Sequence, residues 1–156
     1  KVKYNIERFI RCLAKENDEK FKVITVSSLY RDNSKITSPI KTDEFCYDVI
    51  VSTPNKGTRF IYSNTKDKGL FDIPKVIFGE NGIASMQNAI NDFNGEYGYN
   101  PHGIGIEISS KEEGDDLIKN LATIEMRDFV QSLQFSIFRI DKAIFKDLKN
   151  EFWREF

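Results

Sequence analysis

The chain has 156 residues, 40% of them hydrophobic, with 13 Phe, 6 Tyr and a net charge of −1. That length fits one domain, or one domain with a small appendage, and the apolar content is ample for a packed core. The charge balance excludes a globally basic nucleic-acid binder but leaves room for a local basic face. No apolar stretch reaches membrane-spanning length and no signal peptide is visible, so a cytoplasmic protein with no membrane partner is expected. Cys12 and Cys46 have no CxxC partner. They are read as buried or half-buried free thiols in a reducing compartment, not as a disulfide, a zinc site or a nucleophile. The first residue is Lys1, not Met, which suggests an excised piece of a longer protein, with a processed or partly disordered start as the alternative.

Residues 3–17 carry Ile6, Phe9, Ile10 and Leu13 at helical spacing, so an amphipathic helix ending near Asn17 is expected. Phe21 to Ser27 reads as a strand, and the polar stretch 31–44 as a loop. Phe45–Thr53 and Thr58–Ser63 flank Pro54-Asn55-Lys56-Gly57 and form a β-hairpin. A polar basic loop, 64–69, precedes a short buried strand at Lys75–Phe78, closed by Gly79-Glu80-Asn81-Gly82. Asn88–Phe93 and Glu96–Tyr99 flank Asn94-Gly95, a pair suited to a type I′ turn. Gly103–Ser109 is another strand. Ser110-Lys111-Glu112-Glu113 is a capping box opening a helix with Leu117, Ile118, Leu121 and Ala122. A helical stretch with Ile124, Phe129, Val130 and Leu133 follows, either continuous with the first or separate. Residues 134–140 read as extended, and a last helix runs from about Asp141 to Asn150.

This order predicts an α+β fold: a mainly antiparallel or mixed sheet with helices packed on it and helices at the C terminus. Phe78, Ile106, Leu117, Leu121, Phe129, Leu133 and Phe145 are the expected core, with Phe152 and Trp153 packing the C-terminal segment onto it. The sharper alternative for those two is an interface with an absent catalytic domain. Any domain boundary falls within 31–43, separating an N-terminal helix–strand unit (1–43) from residues 44–156.

Charge is unevenly placed. Residues 53–75 hold Lys56, Arg59, Lys66, Lys68 and Lys75 against only Asp67 and Asp72, whereas 106–128 holds three cations against seven carboxylates. A basic hairpin-and-loop side and an acidic helix side are expected, and a basic rim can position phosphates. The plain alternative is an ordinary solvated surface of mixed charge.

Catalytic patterns are scarce. His102 is the only histidine and sits in a turn, Asn100-Pro101-His102-Gly103, with no acid at a fixed helical offset. One histidine and scattered carboxylates make a poor metal site. Asp18-Glu19-Lys20 and Asp147-Leu148-Lys149 match the short acid-x-Lys triplet of metal-dependent nucleases, but such matches arise by chance in a chain with 30% charged residues. No phosphate-binding glycine loop is present. Gly95-Glu96-Tyr97-Gly98 and Gly103-Ile104-Gly105 read as turn and strand glycines that allow tight turns or a close backbone approach. The polar and aromatic residues of 94–103 are more suggestive. Asn can pair with adenine, Arg or Lys with guanine, and aromatics can stack on a base. Turn geometry and core edging explain the same residues without a ligand.

Ile73-Pro74-Lys75-Val76-Ile77-Phe78-Gly79-Glu80-Asn81-Gly82 and Asp92-Phe93-Asn94-Gly95-Glu96-Tyr97-Gly98 are followed by Phe138-Arg139-Ile140-Asp141 and Phe152-Trp153-Arg154-Glu155-Phe156. Over residues 45–156 this ordered series resembles the target-recognition region of Eco57I-like and TaqI-like N6-adenine DNA methyltransferases, including fused endonuclease–methyltransferases. The resemblance implies a specificity domain that binds double-stranded DNA beside the catalytic domain of its parent chain. That domain would bring S-adenosylmethionine and an Asn-Pro-Pro-Tyr motif. Neither its glycine motif nor that tetrapeptide occurs here, so no catalytic residue and no cofactor are expected in this chain. On this reading Lys56, Arg59, Lys66, Lys68 and Lys75 meet phosphates, and Asn81, Asn94, Tyr97, Asn100 and His102 meet a groove. A small metal-dependent nuclease and a protein-interaction module with an exposed apolar patch around Trp153 are the alternatives.

Overall fold

The computed structural model describes residues 6–26, 28–32, 34–133 and 139–156. Its strands are β1 (Val23–Ile24), β2 (Thr37–Ser38), β3 (Tyr47–Ser52), β4 (Arg59–Ser63), β5 (Lys75–Gly79), β6 (Ile90–Asp92), β7 (Gly98–Tyr99) and β8 (Gly103–Glu107). They form two sheets. One has the order β1-β8-β5-β6 and is antiparallel throughout. The other has the order β2-β4-β3-β7 and is mixed, because β7 runs parallel to β3. The helices are α1 (Ile6–Cys12), α2 (Ile83–Gln87), α3 (Lys111–Leu121) and α4 (Ile124–Leu133). This is the expected α+β class.

Strand alternation sets the layers. In the first sheet Val76, Phe78, Ile104 and Ile106 join the helix-side core, which holds Leu117, Leu121, Phe129, Phe145, Phe152 and Trp153. Leu133 packs against that core half-buried. Ile77 points the other way and meets Ile50 and Tyr99 in a second cluster between the sheets. Val49 and Val51 on β3 turn to a third cluster with Tyr30, Ile61 and Phe71. Trp153 is wholly buried and donates its indole N–H to Asp116 Oδ2 at 3.0 Å. It is therefore not part of an exposed interface.

The glycines of β8 explain how the sheets meet. Ile104 and Ile106 face the helices, and Gly103 and Gly105 face Tyr99. A Cβ on Gly105 would collide with the Tyr99 hydroxyl and lie 2.7 Å from its Cζ. The ring thus lies against bare backbone, and its hydroxyl donates to the Ile24 carbonyl at 2.7 Å.

Several local expectations give way to tertiary pairing. The first helix stops at Cys12, not Asn17, because Leu13 bridges Leu148 and the Ala14 N–H donates to the Asp147 carbonyl at 2.9 Å. Residues 3–5 of that expected helix, and Ser27 of the next strand, lie outside the described residues. The expected strand at 21–27 contracts to β1, and the 31–44 loop contributes the two-residue β2. The cap forms with one shift from the expected box: Ser110 Oγ accepts from Glu113 N at 3.1 Å, while Glu113 Oε2 reaches past the N-cap to accept from Ser109 N. α3 and α4 are separate, since Thr123 Oγ1 accepts from Met126 N and starts α4 afresh. The last helix is only a 3₁₀ segment, Lys142–Asp147, because Leu148 and Lys149 extend to bridge Leu13 and Lys20. Residues 134–138 of the expected extended stretch lie outside the described residues.

Asn94-Gly95 does not close a hairpin. β6 pairs with β5, and β7 with β3 in the other sheet, so this turn carries the chain between sheets. Gly95 alone takes positive φ, 69°, with its N–H on the Asp92 carbonyl, whereas a type I′ turn needs both residues there. Asp92 governs the turn instead. Its buried carboxylate accepts from Glu96 N at 2.7 Å, Tyr97 N at 3.1 Å and Lys75 Nζ at 2.6 Å. Burial pushes the Lys75 ammonium below the ordinary lysine range, and the Asp92 charge opposes that shift.

Cys12 is buried, as expected, but Cys46 is exposed on the surface. Burial raises the Cys12 thiol from 9.0 to about 11, aided by nearby Glu155.

Gly105→Ala is expected to cost about 1–3 kcal/mol in urea unfolding, because hydrogen-bonded Tyr99 has nowhere to retreat. Under native conditions a thiol reagent should modify one cysteine per chain, Cys46, and both only after denaturation. Between pH 9 and about 11 the Cys12 thiol ionises in the unfolded chain but not in the folded one. The wild type should therefore lose stability relative to Cys12→Ala as pH rises through that window, measured by unfolding at several pH values.

Candidate nucleic-acid interface

Strand direction divides the sequence-derived site residues between two ends of the molecule. β3 finishes at Ser52, opposite Arg59 at the start of β4. β5 finishes at Gly79, opposite Gly103 at the start of β8. The two sheets touch there: Gly79 N donates to Thr53 Oγ1 at 3.0 Å, and Thr53 Oγ1 donates to the Ser85 carbonyl at 2.7 Å. This end therefore gathers the 53–58 turn with Lys56, Arg59, Asn81, Asn100 and His102. Asn55 Oδ1 accepts from Asn88 Nδ2 at 2.8 Å, which ties the hairpin turn to the end of α2. α2, a five-residue helix behind Gly82 at φ 82°, has no counterpart among the elements expected from the sequence.

Lys66, Lys68, Lys75 and Asn94 lie toward the opposite end, roughly 16 Å away along β3. The expected single basic rim is therefore not formed. Lys66 is occupied by Asp72 at 2.8 Å. Lys75 is fully buried on Asp92 and is out of reach of any phosphate. Asn94 donates to Glu96, and Tyr97 packs its ring 5.7 Å from Phe60. Lys68 is exposed and takes a left-handed φ of 56°.

At the Gly79–Gly103 end the organising residue is Glu80, which is 2% exposed. Its Oε1 lies 2.7 Å from His102 Nδ1 and 3.0 Å from Arg139 Nη2. Oε2 accepts from the same Arg139 nitrogen at 3.1 Å and lies 3.9 Å from Lys142 Nζ. The backbone repeats the convergence: Glu80 N donates to the His102 carbonyl, and Ile140 N to the Glu80 carbonyl, both at 2.8 Å. Lys142 Nζ also donates to the Pro101 carbonyl at 2.6 Å. Burial lowers the Lys142 ammonium, with Glu80 opposing and Arg139 reinforcing that shift.

A hollow of about 280 Å³ opens beside this cluster, lined by Arg31, Asp32, Val51, Asn81, Asn100 and His102. Asn81 and His102 are exposed. Asn100 is 1% exposed and accepts the His102 N–H on its side-chain oxygen at 3.0 Å, so it shapes the turn from within. Asn100-Pro101 is the only Asn-Pro in the sequence and continues as His102-Gly103, not as the Pro-Tyr of the adenine-gripping tetrapeptide.

Arg31, Arg139 and Lys142 were not singled out from the sequence as site residues. The signal that could have pointed to them was Glu80 within Gly-Glu-Asn-Gly, a carboxylate closing a buried strand and so in need of cations. The two acid-x-Lys triplets do come together, with Lys20 Nζ 3.5 Å from Asp147 Oδ1, but on the exposed edge formed by the Leu13 and Leu148 segments. Among the described residues no group of His, Cys, Asp or Glu is arranged to hold a metal ion, and no helix is long and apolar enough to cross a membrane. No protein-family model matches this chain, and no curated protein or solved structure is found to be similar to it.

Glu80→Ala should destabilise the fold by about 1–3 kcal/mol, since a buried network loses its acceptor. The loss should be smaller in Glu80→Ala/Arg139→Ala than the two single effects added together, which a double-mutant cycle by urea unfolding measures.

Proposed function

We propose that this chain is a DNA target-recognition domain of a restriction–modification system, of the kind joined to N6-adenine methyltransferases and their endonuclease fusions. It reads double-stranded DNA with the face at the Gly79–Gly103 strand ends, and methyl transfer or cleavage takes place in the catalytic domain of its parent. The observation that carries this reading is the gathering of Lys56, Arg59, Arg31, Asn81, His102, Arg139 and Lys142 around one end of two sheets. The ordered motifs of residues 73–98 and 138–156 support it through their resemblance to such domains.

Roles divide by charge. Among the described residues Lys56 and Arg59 form no ion pair, so each brings a full positive charge to a phosphate. Asn81 and His102 carry the donors and acceptors that base edges recognise. Lys66, Lys68 and Lys75, at the far end, take no part.

Fluorescence anisotropy with a mixed-sequence duplex tests this. Lys56→Ala/Arg59→Ala should weaken binding to every sequence and flatten the slope of log affinity against log salt by about 2. Lys66→Ala/Lys68→Ala should leave both unchanged. Absence of salt-sensitive duplex binding by the wild-type chain would overturn the reading.

A further inference from the structure

Resting on that reading, we infer that Arg139, braced by buried Glu80, is a base-reading residue whose guanidinium addresses a guanine in the major groove, with His102 beside it.

Three observations favour a base over a phosphate. First, Arg139 is held through a single nitrogen, Nη2, which touches both Glu80 oxygens. Among the described residues no hydrogen bond engages Nε or Nη1, and the side chain is 66% exposed. A planar fork is thus fixed at one corner, with donors left for an outside acceptor pair. Guanine offers such a pair at O6 and N7. Second, the Glu80 carboxylate cancels much of the arginine charge locally. A neutralised guanidinium releases few counterions on meeting a phosphate, yet keeps the directed N–H groups that a neutral base edge needs. Third, the adjoining hollow is lined by an acidic residue, Asp32, as well as by Arg31, Asn81 and His102. That carboxylate repels phosphate, whereas a mixture of donors and acceptors suits base edges.

Glu80 is the positioning residue. It also takes His102 Nδ1 at 2.7 Å, so the imidazole and the guanidinium share one anchor. Fixing the fork beforehand removes the ordering cost that an unbraced arginine would meet on binding.

The test is selection of bound duplexes from a randomised library, run with the 156-residue chain, Arg139→Ala and Arg139→Lys, with affinity and salt dependence measured on the duplexes recovered. The wild type should enrich a site containing one G·C pair that neither variant enriches. Changing that pair should cost the wild type about 5- to 160-fold in affinity and the variants little. Affinity for mixed-sequence duplex and its salt slope should be nearly equal for all three proteins. The Arg139 side chain is largely exposed, and Arg139→Lys keeps a cation for buried Glu80 while losing the fork, so it separates loss of the fork from loss of the carboxylate's partner. If both variants recover the wild-type site, the assignment falls. If Arg139→Ala lowers the salt slope by about 1 and Arg139→Lys restores it, Arg139 grips a phosphate and the assignment also falls. If the wild type binds duplex without any preference, base reading is overturned while duplex binding stands. If it binds no duplex, the reading beneath the inference fails as well.

Discussion

A carboxylate removed from water must be surrounded by donors, because desolvating it alone costs several kcal/mol. Glu80 meets that requirement with His102, Arg139 and Lys142. These partners come from two stretches of chain on either side of α3 and α4, and neither stretch has regular strand or helix structure at the contact other than the 3₁₀ start at Lys142. The charge thus acts as a constraint on loops. It fixes the 100–103 turn and the 139–142 segment against the end of β5, and everything offered to a partner at this end inherits its position from that arrangement.

The second constraint is steric. Tyr99 sits at the end of β7, in one sheet, and its ring rests on the glycines of β8, in the other. Only three residues separate these strands, and they are Asn100, Pro101 and His102. The turn carrying the candidate contacts is therefore clamped at both ends by the sheet–sheet junction and from below by Glu80. The exposed side chains of His102 and Arg139 are both anchored to the end of β5 through Glu80.

Features set by neighbouring residues were legible in the sequence. The β3–β4 hairpin, β5, β8, the helix cap at Ser110 and most of the core follow from alternation, turn residues and helical spacing. What failed depends on distant partners. The first helix is cut short by pairing with the C-terminal segment, and Asn94-Gly95 is diverted from a hairpin by the buried Asp92 carboxylate. Lys75 looked like a surface cation because nothing local reveals Asp92, 17 positions later. At the candidate site Asn81 and His102 were visible as polar residues in glycine turns. Arg139 and Lys142 were not, since their significance comes only from a carboxylate some sixty residues earlier.

The Lys75–Asp92 pair has a bearing on alignment. These residues stand directly opposite each other on β5 and β6. Sliding one strand by a single residue would turn its side chains to the other face of the sheet and leave an ammonium and a carboxylate each marooned in hydrocarbon. The pair adds little net favourable energy where it belongs. Its weight falls on mispaired arrangements, which it makes prohibitively expensive, so it acts as a key that admits a single alignment of the two strands.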